Sequence, residues 1–377
     1  MPDMNSNTVM NIVHLIPSLG FGGGVENLLY HFCRVSDRSR FRFSVFYWDD
    51  PDDFADKIKA TGVDVQRLSI SNVVSLDGAL KVAAAVRQAK AHVINSYFID
   101  ADLLGFMASR LTGVPLVMSN HSYPFPENRW QALRYRLMSG GMQKIICVSR
   151  AVKQHMMDTT GIREGKFEVI HNGVDRELFL NKRTPEQMTA IRTTFGFSAA
   201  HRVIGNVARL VPAKGYDYFL KAAGIVAQNF PEARFLIVGG GSDIDLKVLA
   251  GKLGIADRVV FAGPRKDVAD ILSIMDVFLF PTYDEAFGIC LLEAMAAGVP
   301  VVASRRTAIP EIITDGKEGF LVPPRDEAKI ADAVMRILGD AALSKRFALA
   351  GVERSRDFTL DAMVKKTEAV YERAGRR

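Results

Sequence analysis

Two carboxylates, Glu285 and Glu293, stand eight residues apart in the segment PTYDEAFGICLLEAMAAGVPVV, residues 281–302. Glu293 is surrounded in sequence by Ile289, Cys290, Leu291, Leu292, Ala294, Met295, Ala296 and Ala297, and a helix apolar all round is a buried one. A carboxylate in such a place needs a donor, because an unpaired buried charge is costly or is neutralised. The offset corresponds to about 12 Å along a helix. That is too long to grip one group and suits two ends of an elongated ligand. Between the two acids, Gly288 permits close backbone approach, and the helix start at Phe287, Gly288 and Ile289 offers N–H groups and a positive dipole end to an anion. An anion flanked by two hydroxyl-bearing groups describes a nucleotide sugar. Alone, the same residues also read as a turn-paired Glu293 and a solvated Glu285.

Arg209 and Lys214 lie in ARLVPAKG, directly after the apolar run RVIGNVA. Two cations there can neutralise a diphosphate without a metal, Arg as a bidentate fork and Lys as a point charge, or they are solvated loop charges. His121 ends the run PLVMSN, as a core or capping residue or as a group facing a ligand. The triple glycine at 22–24 invites a dinucleotide reading with Asp49 or Asp50 as the ribose partner, but Val25 and Asn27 stand where GxGxxG requires glycine. A tight loop remains, able to host a phosphate or let an acceptor approach. The pairs Asp50/Asp52 and Asp243/Asp245 have metal-clamp spacing, yet both sit at expected helix starts, where acids complement the dipole. No metal or other cofactor is expected.

These residues need strands to hold them. Short apolar runs alternate with helix-period segments: NIVHLI, FRFSVFYW, HVINSYF, PLVMSN and KIICVS, then RVIGNVA, RFLIVGG, RVVFAG, DVFLFP and VPVVAS. That pattern specifies α/β architecture with parallel sheets. Both halves open with a strand, a glycine-bearing turn and a helix, a weak duplication that predicts two doubly wound, Rossmann-like domains facing a cleft. The expected division is 1–180 and 181–359, with the boundary turn near NGVD.

The 377 residues suffice for two or three domains, and 48% hydrophobic with 24% charged residues excludes disordered and fibrous classes. A net charge of +6 without a polybasic arm does not favour nucleic acid as a partner. Cys33, Cys147 and Cys290 are too scattered for a zinc cluster or disulfide framework. The N-terminal apolar stretch is broken by Asn11, His14 and Pro17, unlike a signal peptide. A cytoplasmic location is expected.

Taken together, the motifs resemble the retaining glycosyltransferases of family 4, also called glycosyl transferases group 1, from about residue 22 to 347. DEAFGICLLEAMAAGVPVVAS looks like that family's Glu-x7-Glu stretch, VARLVPAKG its Arg-x4-Lys loop, GGGVE its N-domain glycine loop, HNGVD its interdomain turn, and His121 its sugar-facing histidine. SRRTAIPEI departs from it, since many relatives carry Gly-Gly before Pro310 and Glu311. The resemblance implies a GT-B fold whose C-terminal helix, about 360–377, returns to the first domain. It also implies sugar transfer from a UDP- or GDP-sugar such as GDP-mannose, with retention. Glu285, Arg209, Lys214 and His121 would act in the reaction, and Gly23, Gly24, Phe287, Gly288, Ile289 and Glu293 would bind the donor.

Between Leu103 and Met157 stand seven basic residues, Arg110, Arg129, Arg134, Arg136, Lys144, Arg150 and Lys153, against one acid, Glu127. Trp130, Leu133 and Leu137 form a helical stripe flanked by arginines. The stripe either packs on its own core or lies on an anionic membrane surface through 129–144, with a glycan or lipid-linked acceptor in envelope or exopolysaccharide synthesis. Rival readings are a sugar-nucleotide epimerase, a non-catalytic sugar-binding protein and a nicotinamide-dependent dehydrogenase.

Overall fold

Apolar runs without polar alternation form strands buried on both faces, which only a covered parallel sheet can accommodate. The segments VFLF and VVAS are buried at every position. The computed structural model describes residues 9–20, 24–180 and 183–376. It divides into unit 1, Met1–Gly173 with Leu360–Arg377, and unit 2, Val174–Thr359.

In unit 1, β1 (Met10–Leu15), β2 (Phe41–Tyr47), β3 (Asp64–Arg67), β4 (Val93–Tyr97), β5 (Leu116–Asn120), β6 (Met142–Cys147) and β7 (Phe167–Val169) form one sheet in the order β3-β2-β1-β4-β5-β6-β7. In unit 2, β8 (Arg202–Val207), β9 (Ala233–Val238), β10 (Val259–Phe261), β11 (Val277–Phe280), β12 (Val301–Ser304) and β13 (Gly319–Val322) follow the order β10-β9-β8-β11-β12-β13. Every pairing of neighbouring strands is parallel. Both units are thus doubly wound α/β sheets with the same strand order through their first six strands.

The ten apolar runs account for ten of these strands; β3, β7 and β13 are additions. All three are sheet edges of three or four residues, and β3, DVQR, buries only Val65. Edge strands are kept short and often polar against unwanted pairing, so β3 carries little apolar signal, whereas β13, GFLV, is apolar and largely buried but only four residues long. The helices Tyr216–Asn229 and Glu327–Gly339 bury Phe219, Leu220, Ile330 and Val334 with Phe235 and Leu279 of the second sheet. The last helix, Leu360–Gly375, belongs to unit 1, burying Val364, Val370 and Tyr371, and Arg373 grips Glu168 with both carboxylate oxygens at 2.7 Å. Among the described residues no helix is long and apolar enough to cross a membrane.

The winding reverses direction between β8 and β11, and ligands of open parallel sheets bind beyond the carboxyl ends at such a reversal. The loops leaving these two strands are zipped together: the Tyr283 N–H and the Thr282 hydroxyl both donate to the Ala213 carbonyl, at 2.8 and 2.9 Å. Their approach depends on Gly215. Its φ is +69°, and a Cβ there would stand 2.0 Å from the Pro281 carbonyl oxygen. Gly215→Ala therefore combines a left-handed backbone with a backbone clash and should destabilise the protein by roughly 2 kcal/mol or more. Urea denaturation measures this; a midpoint equal to that of the wild type would contradict the packing of the two loops.

Candidate functional site

The carboxyl ends of β8 and β11 are fixed by a buried polar network. The Asn206 side-chain amide donates to the Leu279 carbonyl at 2.6 Å, and the Tyr216 hydroxyl serves Asn206 Oδ1 at 2.9 Å and the Ala208 carbonyl at 2.7 Å. From this base the 3₁₀ turn Pro212–Lys214 presents Lys214. Its Nζ meets Glu285 Oε2 at 2.5 Å, with both side chains less than one-fifth exposed. The Phe280 ring lies 5.4 Å from the same ammonium. The structure therefore joins two residues 71 positions apart, each expected to act in the site. Arg209, on the same loop, is exposed, and its guanidinium has no side-chain partner among the described residues.

Past Glu285 the chain enters the helix Ile289–Ala296 through Gly288, which is buried with a φ of +101°. A Cβ on Gly288 would press on Ile309 and Leu291 at 3.2 Å. The Phe287 ring belongs to the core, 5.8 Å from the Phe358 ring, so its part in a ligand site is confined to its backbone. The expectation of a helix buried all round needs correction. Ile289, Cys290 and Glu293 are only partly buried and share one face, leaving an open side along the first turn and a half. The N–H groups of a first turn have no intrahelical acceptor. Glu293 sits on that open face without a protein donor among the described residues, and burial pushes its carboxyl pKa up to about 7.

In unit 1, His121 follows β5, its ring 5.6 Å from that of Tyr97. It borders a cavity of about 30 Å³ with Phe32, Ser119 and Asn172. Burial lowers its pKa to about 4, so near neutral pH it is an uncharged imidazole that both donates and accepts hydrogen bonds. Gly24 opens the helix Gly24–Val35 and is exposed, whereas Gly22 and Gly23 lie outside the described residues. Three of the four acids in the pairs Asp50/Asp52 and Asp243/Asp245 have protein partners: Arg67 forks onto Asp50 at 2.9 Å, Tyr47 donates to Asp52 at 3.0 Å, and Lys247 pairs with Asp243 at 2.9 Å. Among the described residues no three His, Cys, Asp or Glu side chains gather as a metal site would need.

Residues not singled out in the sequence complete the surroundings. Thr307, after β12, donates its hydroxyl to the Glu285 carbonyl at 2.8 Å and accepts the Glu285 N–H at 3.2 Å. Arg306 donates to the Tyr283 carbonyl at 2.9 Å. The available signal was the departure at SRRTAIPEI, which falls on these residues.

Comparison with known proteins agrees with this chemistry. Residues 187–354 match the family model Glycosyl transferases group 1, and residues 22–178 match Glycosyltransferase Family 4. The chain is 30% identical over 316 residues to the D-inositol 3-phosphate glycosyltransferase of Mycobacteroides abscessus, covering 79% of this chain and 69% of the relative. It is 29% identical over 318 residues to the protein of the same description from Mycolicibacterium smegmatis, covering 79% and 70%. Among solved structures, Anabaena HepE in complex with UDP and glucose superposes with a TM-score of 0.85 at 26% identity, covering 96% of this chain and 98% of HepE. A glycosyltransferase from Rickettsia africae has a TM-score of 0.86 at 19% identity, covering 97% and 98%, which bears on the fold alone.

The raised pKa of Glu293 has a thermodynamic consequence. An acid whose folded pKa lies near 7 rather than 4.5 favours the folded state while protonated, so its contribution to stability declines as pH rises from about 4.5 to 7 and is flat above. Glu293→Gln removes this term. The variant should melt higher than the wild type at pH 8, by up to about 3 kcal/mol in unfolding free energy, with the difference shrinking towards pH 5. Thermal melts at both pH values measure it, and equal melting at pH 8 would contradict a desolvated Glu293.

Proposed function

This chain is a member of the group 1 glycosyltransferases, with two parallel α/β units of GT-B type, and on that premise we propose that it transfers a sugar from a UDP-sugar to an acceptor hydroxyl, retaining the anomeric configuration and using no divalent metal. The observation that carries this reading is the Lys214–Glu285 pair, with Arg209 on the same loop as Lys214 and a helix start directly after Glu285, at the strand reversal of unit 2. UDP as the nucleotide is favoured over GDP by the likeness to HepE, whose structure holds UDP and glucose.

Each residue has a role suited to its chemistry. Arg209, the remaining N–H bonds of Lys214 and the backbone N–H groups at Phe287, Gly288 and Ile289 hold the departing diphosphate, where preorganised donors act on charge that grows in the transition state. Glu285 accepts hydrogen bonds from sugar hydroxyls, and Glu293 from the ribose. In unit 1, His121, uncharged, is suited to hydrogen-bond a sugar hydroxyl, and the resemblance assigns Gly23 and Gly24 to substrate binding. None of these groups attacks the anomeric carbon. An epimerase of the same architecture would instead need an acid and a base around the sugar.

Incubation with a panel of UDP- and GDP-sugars, following nucleotide release in excess EDTA, tests the reaction and its metal requirement together. Lys214→Ala should lower turnover on the order of a hundredfold with the fold intact. Turnover equal to that of the wild type would remove Lys214 from the site, and release from GDP-sugars alone would overturn the UDP assignment.

For the acceptor we propose a lipid-linked or other envelope glycan precursor, reached by peripheral attachment to an anionic membrane face. In the helix Arg129–Met138, Trp130, Leu133 and Leu137 are 69%, 47% and 73% exposed, while Ala132, Tyr135 and Met138 bury the opposite side. The stripe is therefore not packed on its own core. Arg129 lies over the Trp130 indole at 5.3 Å, Arg136 is exposed beside it, and the helix carries no acid. Apolar side chains in a basic frame complement anionic headgroups, each Arg adding about 1 kcal/mol of attraction. The protein should sediment with phosphatidylglycerol vesicles at low salt, less so at high salt, and less after Trp130→Ala or Arg129→Glu with Arg136→Glu. Arg134 is left intact in this test because it attracts the buried Asp102. Protein that stays in the supernatant at low salt would refute the membrane surface.

A further inference from the structure

Thr307 has a φ of +45°. A left-handed backbone is a true outlier for a β-branched residue, since its two γ substituents crowd the neighbouring carbonyls, and glycine or asparagine would adopt it at less cost. Such conformations persist where the surroundings enforce them, and they gather at functional sites.

The enforcing contacts are visible. Thr307 serves both polar backbone groups of Glu285 with one hydroxyl, donating to its carbonyl at 2.8 Å and accepting its N–H at 3.2 Å. Its neighbour Arg306 donates to the Tyr283 carbonyl at 2.9 Å and approaches Asp284 at 3.4 Å. The loop after β12 thus staples three consecutive residues of the loop after β11. The third of these is the one whose side chain meets Lys214. Arg305 anchors the staple on the other side, donating its backbone N–H to the Val322 carbonyl at 2.7 Å and pairing with Asp315 at 2.5 Å. Glycine at 307 would relieve the backbone but leave the Glu285 N–H and carbonyl to water. The hydroxyl is what a glycine lacks.

The geometry points to Thr307 as the positioning residue for Glu285, its strained backbone holding a hydroxyl where it locks the Glu285 main chain and so aims the carboxylate during sugar transfer. This rests on the transferase reading of the site. Thr307 acts through Glu285 and touches neither phosphate nor sugar, so its loss should change turnover while donor affinity stays. Misplacement of a positioned group by about 1 Å can cost up to a hundredfold in rate.

Three variants separate the hydroxyl from the shape. Thr307→Ser keeps the hydroxyl, Thr307→Val keeps the branched shape without it, and Thr307→Gly removes both hydroxyl and strain. Nucleotide release from the UDP-sugar that the wild type cleaves fastest is measured with the dissociation constant of UDP and amide hydrogen exchange at Glu285. Serine should hold kcat within about threefold of the wild type, and valine and glycine should lower it about tenfold or more. Both should speed exchange at the Glu285 amide, with the UDP dissociation constant unchanged within about twofold. Should valine not fold, the glycine variant carries the test, because it relaxes the backbone. Wild-type kcat in the glycine variant, or a UDP affinity that falls in step with kcat, would overturn the assignment. A wild type that cleaves no nucleotide sugar would instead overturn the transferase reading, and the exchange at Glu285 would still report whether Thr307 locks that residue.

Discussion

The close approach of the loops leaving β8 and β11 is the constraint on which the rest of the site depends. Gly215 is left-handed and within van der Waals contact of the Pro281 carbonyl, and only this contact lets Lys214 meet Glu285. A partly buried ion pair is weak evidence of stabilisation, because desolvating both charges offsets most of their attraction. What the pair supplies is placement. An ammonium and a carboxylate that neutralise each other can both be held where water is scarce, each keeping unused hydrogen-bonding capacity. Lys214 has three N–H bonds and its contact with Glu285 uses one, while the Glu285 carboxylate accepts Lys214 on one oxygen and the Phe287 N–H, at 3.5 Å, on the other, with lone pairs to spare. The scaffold beneath them, Asn206 with Tyr216, is fully buried and bonded at several points, so the pair stands on a rigid base.

The central strands of both sheets were legible in the sequence because burial on both faces leaves an uninterrupted apolar run. Of the four edges only β10 was, as RVVFAG, since a strand such as β3 with one buried residue differs little from a loop. At the site the residue types and strand-end positions of Arg209, Lys214, Glu285 and Glu293 were legible, as was the glycine at 288. Their mutual contacts were not. Spacing along a chain says nothing of the 71-residue separation that the reversal of winding closes. Thr307 was visible only as a departure from a glycine pattern, and its role required knowing the sign of its φ and the atom opposite its hydroxyl.

Periodicity locates a helix stripe without saying which way it faces, and two helices show the consequence. Around Glu293 the run of apolar residues predicted burial on every side, yet one face of Ile289–Ala296 is open. In Arg129–Met138, Trp130, Leu133 and Leu137 would pass for core by type, yet they are exposed. The deciding contact is polar: the Tyr135 hydroxyl donates to Asp102 at 2.6 Å, and Asp102 also accepts from Ser96 at 2.6 Å. Asp102 is completely buried, so these donors are required. Holding Tyr135 inward forces the opposite face of the same helix outward, the indole included.

Desolvation then sorts the remaining polar groups by the ligand chemistry each can serve. Burial holds His121 uncharged near neutral pH and leaves Glu293 close to the point where it exchanges its proton. Hydroxyl groups both donate and accept, and such near-neutral partners match them without the desolvation cost of a full charge. Arg209 remains exposed, its guanidinium fork suited to a phosphate. Lys214 is paired with Glu285 away from bulk water, and Thr307 in turn holds Glu285 by its main chain. The exposed guanidinium and the paired ammonium stand on one of the two loops that Gly215 allows to touch, and the partly buried Glu293 lies on the helix that the other loop enters.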